Sequence, residues 1–316
     1  MKNKSILLAC LFIMLSISAK ASSDFKVNGL YYDIVSIDNL TCACVENPDG
    51  KYSGKIVIPS SVSYNGKTLS VVEVAEYAFF QSDITSVEIG GNVKTLGKYS
   101  FDMCRSLYSV KLENGVETIG QEAFANCPNL QFVSLPESIK EIKYGAFNGC
   151  RQLTGVIAIP GNCSVIGAEA FSGNPNMLLI KEGEGKLTVY DAGLGRNGGD
   201  FIRISRDISP KSQFIGLYEF KEIIFDDNVT YMPECFRAIH DEGVIDCLTI
   251  GKSISEVPRI AMFDVKKIVL NSSVPPKATE FLNKTYMNAI LCVPKGSISA
   301  YKEANVWKNF WNIEEF

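Results

Sequence analysis

The sequence predicts a repeat solenoid, one continuous stack of short and mainly parallel strands joined by tight turns. Three observations predict it. Four consecutive segments, starting at Ile84, Leu107, Leu130 and Leu153, repeat at a strict step of 23 residues. Within each segment, aliphatic side chains recur at the first, fourth and sixth places, as at Leu107, Val110 and Leu112, so that alternate strand residues turn inward. The chain is 316 residues long and 46% hydrophobic, which is long for one compact core. A solenoid removes that difficulty, because it adds core by translation and need not split into domains.

Each element follows from the residues of one unit. The segments read ITSVEIGGNVKTLGKYSFDMC, LYSVKLENGVETIGQEAFANC, LQFVSLPESIKEIKYGAFNGC and LTGVIAIPGNCSVIGAEAFSGN. After the strand, Gly or Pro turns the chain, as at Gly90 and Pro136. A second short extended piece ends at Leu96 or Ile119, and an Ala-Phe pair with a terminal Cys or Asn closes the unit. That Ala-Phe stretch is expected to be a helical or 3₁₀ turn that drives its ring into the centre. An earlier unit ends in Ala78-Phe79. The fourth segment carries one extra residue, Ile157, so Phe171 follows Phe147 by 24 residues rather than 23. Phe101, Phe124, Phe147 and Phe171 should form a ladder along the axis. A fixed period in this range signals stacked leucine-rich coils, none of which can bury its apolar edge alone. With strands ~4.8 Å apart, about ten coils give a rod or arc on the order of 50 Å long.

The chain divides accordingly into residues 1–21, 22–54, 55–176, 177–215, 216–289 and 290–316. The first is an export signal: Lys2 and Lys4 precede an apolar run from Ile6 to Ile17, and Ala19-Lys20-Ala21 gives a small-x-small cleavage pattern. The run is too short to span a bilayer, which takes roughly 20 residues. Leu7-Leu8-Ala9-Cys10 resembles a lipoprotein box but leaves too little apolar chain before it. Residues 22–54 form an amino-terminal β cap. Phe25 to Ile34 and Thr41 to Val45 read as its strands, and the Asn65-Gly66 turn predicts a hairpin over 63–68. Regular repeats fill 55–176. Irregular Gly-rich coils fill 177–215, and longer imperfect repeats fill 216–289, where Ile223-Ile224-Phe225 matches Leu248-Thr249-Ile250 at a step of 25. Residues 290–316 read as a helical, aromatic carboxy-terminal cap, with Ser297 as N-cap of a helix to Ala304 and with Trp307, Phe310, Trp311 and Phe316 as a lid. The alternative for those rings is an aromatic binding platform.

The composition thins out catalysis and nucleic-acid binding. A net charge of −4 opposes a nucleic-acid partner, which needs a basic field. His240 is the single histidine, so a Ser-His-Asp or Cys-His site would have to use it with Asp241 or Asp246, and no Gly-x-Ser-x-Gly elbow occurs. Gly251-Lys252-Ser253 ends like a P-loop, yet Asp246 stands where its first glycine belongs. The Gly-rich stretch with Lys186, Arg196, Arg203 and Arg206 lacks a P-loop end and reads as a widened loop, with phosphate binding as its alternative. Asp226-Asp227 lacks the alternating spacing of a calcium loop. No catalytic, cofactor or metal residue is therefore assigned. Ten cysteines are present, and nine remain beyond the signal, an odd number. Cys104, Cys127 and Cys150 share one repeat position that Asn174 fills in the next unit, which suits reduced, buried side chains facing loop backbone. Cys42-x-Cys44 is the better candidate for oxidation.

The Ile-Gly-x-x-Ala-Phe-x-x-Cys element, nearly intact over 119–127, resembles the BspA-like leucine-rich repeat proteins of bacterial surfaces. The hairpin unit around Ile58-Pro59 and the run Val293-Pro294-Lys295-Gly296-Ser297 followed by Ala300-Tyr301 extend the resemblance. The carboxy-terminal element is similar to those of Bacteroidetes proteins. The resemblance implies a right-handed leucine-rich-repeat stack, an extracellular or outer-surface location with the periplasm as alternative, and protein binding, including adhesion to host matrix or cell-surface proteins. No membrane span is expected. Outward strand positions line up from coil to coil, so the candidate binding face holds Thr85, Ser86 and Glu88, then Tyr108, Ser109 and Lys111, then Gln131, Phe132 and Ser134. Tyr108 and Phe132 are aromatic where the core does not require it, although strand propensity also favours them. Two further readings stand beside non-catalytic binding: a secreted hydrolase with a carboxylate site on 177–213, and a purely structural surface module.

Overall fold

The computed structural model describes residues 23–174, 177–191, 193–194, 199–212, 220–233, 244–259 and 264–316. The expected export signal, Cys235 and His240 lie outside the described residues. The period becomes two stacks of parallel strands with a common core between them. The longer strands Ser53–Ile58, Asp83–Ile89, Ser109–Leu112 and Phe132–Ser134 form a four-stranded sheet. Eight more, from Val156–Ile159 to Asn312–Glu315, continue the row as a second sheet. The short strands Thr95–Leu96, Thr118–Ile119, Glu141–Ile142, Val165–Ile166 and Thr188–Val189 pair coil to coil on the other side of the core. The protein is a parallel β-solenoid.

The predicted phenylalanine ladder is present and fully buried. The ring centroids of Phe79, Phe101, Phe124, Phe147 and Phe171 follow one another at 4.9, 5.0, 5.4 and 5.4 Å. Their planes stay within 6° to 10° of parallel. Tyr52 extends the file by one ring, 4.6 Å from Phe79. The repeat-end cysteines carry the same coil-to-coil logic. The thiols of Cys104, Cys127 and Cys150 donate to the carbonyls of Phe79, Phe101 and Phe124 at 3.0, 3.2 and 3.1 Å. Asn174 Nδ2 donates to Phe147 O at 2.9 Å, which explains why an amide replaces a thiol at that place.

The Ala-Phe elements are plain turns and not the expected helical or 3₁₀ turns. Each is bracketed by left-handed residues, Glu122 (φ 51°) and Asn126 (φ 53°) around Phe124, and Gly145 (φ 58°) and Gly149 (φ 76°) around Phe147. Positive φ on both sides breaks any helical run. The N–H groups then alternate in direction. Glu122, Phe124 and Asn126 donate to Tyr144, Ala146 and Asn148 of the next coil, whereas Ala123 and Ala125 donate within their own coil. A helix would have spent all of these bonds internally.

The extra residue of the fourth segment divides the long face. The short strands absorb it, with Glu141 opposite Val165 and Ile142 opposite Ile166. The longer strands do not. Gly155, at φ 96°, turns the chain just before Val156–Ile159, and among the described residues no pairing joins that strand to Phe132–Ser134.

The two ends differ from expectation in detail. Phe25 to Ile34 is not one strand but a hairpin, Phe25–Val27 against Leu30–Ser36, because Asn28 and Gly29 adopt positive φ. Thr41–Val45 pairs antiparallel with Leu30–Ser36 and parallel with Lys67–Val74. The 63–68 hairpin forms as predicted, with Tyr64 opposite Lys67. Ser297 precedes the helix Ile298–Glu303 without capping it through its side chain, since its hydroxyl donates to Pro294 O instead. Residues 290–316 continue the long sheet as well as carrying helix, because Asn312–Glu315 pairs in parallel with Ile290–Val293. Trp307 and Phe310 are buried, but Trp311 and Phe316 face solvent. Glu314 and Glu315 are exposed on this outermost strand, where charge discourages further pairing. Cys42 and Cys44, read as candidates for oxidation, are buried free thiols, with Cys42 donating to Ser70 O.

Three outcomes follow from this packing. Phe124→Ala removes a ring from the middle of the file and should lower unfolding free energy by about 3–5 kcal/mol in denaturant titration. Ser100 occupies the place of Ala78, Ala123 and Ala146, and its buried hydroxyl has no partner among the described residues. Ser100→Ala should therefore stabilise the protein by about 1 kcal/mol. Burial pushes Cys42 and Cys163 up to about 11, and Cys104 and Cys150 up to about 12, from an ordinary value of 9.0. The unfolded chain thus loses these protons first. Their contribution is complete below about pH 9 and declines as pH rises towards about 12. A melting temperature that falls progressively across that window is expected.

Candidate binding face

The predicted face is assembled by the registry of the first four long strands. Tyr108 donates its N–H to Thr85 O at 2.8 Å and accepts from Gln131 N at 2.9 Å, so these three residues form one column. Glu88 and Lys111 are register partners, and Lys111 stands opposite Ser134. Phe132 pairs with Ser109, and Ser109 with Ser86. The Tyr108 and Phe132 rings, 46% and 52% exposed, meet edge to face at 5.2 Å. Such contacts prefer this geometry because the positive ring edge meets the negative face. Lys55 Nζ lies 2.8 Å from Glu88 Oε1 and holds that carboxyl below its ordinary range. Gln131 Nε2 donates to Gln152 Oε1 at 3.1 Å.

The break in the long face adds a feature that the period conceals. A groove of about 350 Å³ lies where pairing lapses, with Lys111, Gln131 and Phe132 on one flank and Thr154, Gly155 and Val156 on the other. Val133 is half-buried there, whereas its equivalents Val87 and Val110 are buried. Among the described residues no backbone hydrogen bond joins 131–134 to 154–158.

Beyond the groove, the second long sheet displays apolar side chains that sequence reasoning missed. Val156, 55% exposed, pairs with Met177, and Met177 with Phe201. Ala158 pairs with Leu179, and the same row continues through Arg203, Ile224, Thr249 and Val269. A signal was present: MLLI, EIIF and KIVL are apolar on both faces, whereas a strand with one wet face alternates.

The charged candidates are engaged elsewhere. Arg206 is buried, donating to the carbonyls of Pro160, Gly161 and Cys163, and so braces a turn two coils away. Arg203 Nε makes two bonds to the Asp226 carboxylate at 2.9 and 3.0 Å. Lys186 lies over the Tyr231 ring at 5.6 Å. Arg196 lies outside the described residues. Asp227 accepts from Asn271 Nδ2 and from the N–H of Lys252, which hold its carboxyl below the ordinary range. Gly251 is packed so closely that a Cβ there would lie 2.1 Å from Asp226 O, so Gly251-Lys252-Ser253 is a coil turn seated on its neighbour. On the 177–213 segment, Asp200 pairs with Lys221 at 2.6 Å and Asp207 accepts from Thr230. Among the described residues no group of three or more His, Cys, Asp or Glu side chains could hold a metal ion, and no helix is long and apolar enough to cross a membrane.

Residues 70–186 match the BspA type leucine-rich repeat region in six copies. No curated protein matches the chain. Among solved structures, a leucine-rich cell surface protein from Faecalibacterium prausnitzii is 15% identical, covering 92% of this chain and 94% of that one at a TM-score of 0.50. A leucine-rich repeat protein from Bacteroides ovatus is 18% identical over 93% of this chain and 76% of that one, at 0.49. One from Bacteroides capillosus is 29% identical over 38% of this chain and 88% of that one, at 0.35. The Faecalibacterium likeness concerns the fold. Residues 70–186 are thus a BspA type leucine-rich repeat region, carried on a parallel β-solenoid.

Proposed function

We propose that this is an exported, non-catalytic protein that binds a protein partner, of host matrix or cell-surface origin, on its long-strand face. The observation that carries the reading is the exposed pair Tyr108 and Phe132, packed edge to face, with Phe132 lining the apolar groove. Interfaces concentrate their energy in aromatic anchors beside pockets that exclude water. Val156 and Met177, with Leu179, Ile224 and Val269 in the adjoining row, would extend the contact beyond the groove. A surface location is supported by the amino-terminal export pattern and by the surface description of the Faecalibacterium relative.

A pull-down from matrix and cell-surface fractions supplies the partner, and protease accessibility on intact cells tests the location. Tyr108→Ala combined with Phe132→Ala should weaken partner binding by about tenfold to a hundredfold while leaving the melting temperature nearly unchanged. Unaltered affinity removes this patch from the interface. A face that retains no partner from either fraction favours the purely structural module.

A further inference from the structure

We propose that a cleft near the carboxy-terminal end, floored by packed aromatic rings and flanked by Trp311, is a binding site for neutral oligosaccharides. The protein has two tryptophans with opposite environments. Trp307 is 0% exposed, and its indole N–H donates to Pro276 O at 2.6 Å. Trp311 is 72% exposed, and its indole N–H has no partner among the described residues. Its backbone is nonetheless fixed, since its N–H donates to Tyr286 O at 2.9 Å. Tyr286 in turn packs edge-on against Phe281 and Phe310 at 5.9 and 5.1 Å. A wet indole is thus held on a rigid aromatic base.

The cleft measures about 680 Å³, enough for more than one sugar ring, and Glu280, Asn283, Lys308 and Asn309 stand around it with Trp311. All four polar residues are exposed, and no described side chain satisfies them. Glu280 only accepts, Lys308 only donates, and the two amides do both. That set matches a ring whose edge carries hydroxyls and one of whose faces carries C–H bonds able to lie on an indole. The opposite charges of Glu280 and Lys308 favour a neutral ligand. A protein interface is the competing occupant, but interface centres are depleted in Lys and Glu.

The full chain, fluorescently labelled, is applied to a glycan array, and Trp emission is titrated with chitotriose, cellotriose and maltotriose. Buried Trp307 supplies a constant background, so a saturable change in emission reports Trp311. The site is supported if neutral glycans on the array retain the protein, if at least one of the three sugars shifts emission, and if Trp311→Ala weakens retention by about tenfold or more with an unchanged melting temperature. Asn309→Ala should weaken it too, and Tyr108→Ala should leave it intact, which separates this site from the long-strand face. Failure of every neutral glycan on the array to retain the protein overturns the proposal. So does retention that survives Trp311→Ala, or a protein partner lost on Trp311→Ala without any sugar response.

Discussion

No coil of this protein can bury its own apolar flank, so each depends on the coil beside it. That constraint fixes the step between coils. The rings from Phe79 to Phe171 lie 4.9 to 5.4 Å apart and nearly parallel, close to the ordinary spacing of paired strands. Ring stacking and backbone pairing therefore require the same translation, and neither strains the other. The thiol donors at Cys104, Cys127 and Cys150 sit inside that translation, each reaching a carbonyl of the preceding coil.

Because the stack is a row of nearest-neighbour contacts, an irregularity stays local. The residue added in the fourth segment is absorbed between Glu141 and Val165, yet it separates Phe132–Ser134 from Val156–Ile159. The core carries on while the outer face opens. Arg206 reaches back two coils with three carbonyl contacts to the 160–163 turn, on the coil that begins the second sheet. A guanidinium suits this task, since its several donors can satisfy carbonyls that face one another around a turn.

The surface chemistry is accordingly divided between places. Aromatic rings beside a groove mark the first part of the long face, apolar side chains interrupted by Arg203 and Thr249 mark the second, and an exposed indole with polar neighbours lies towards the carboxy-terminal end. The core repeats, and these surfaces do not. A solenoid permits that separation because outward side chains can change without disturbing the translation that holds the stack.

The sequence by itself determined the stack, the ladder and the alignment of outward columns, because a period of 23 with inward aliphatic and Phe positions admits only one way to hide them. It also showed that Asn174 shares the place of three cysteines facing loop backbone, while the structure supplied the carbonyl of the preceding coil that each of them reaches. The turn conformation around Phe124 was decided by bonds to Tyr144, Ala146 and Asn148, which belong to another coil and leave no local trace. The same holds for the fates of Ile157, Arg206 and Trp311. Whether an added residue is absorbed or opens a groove, whether a cation is buried, and which of two neighbouring indoles stays wet all depend on contacts between coils. Local pattern sets what each coil must hide; only the assembled stack decides what is left in the open.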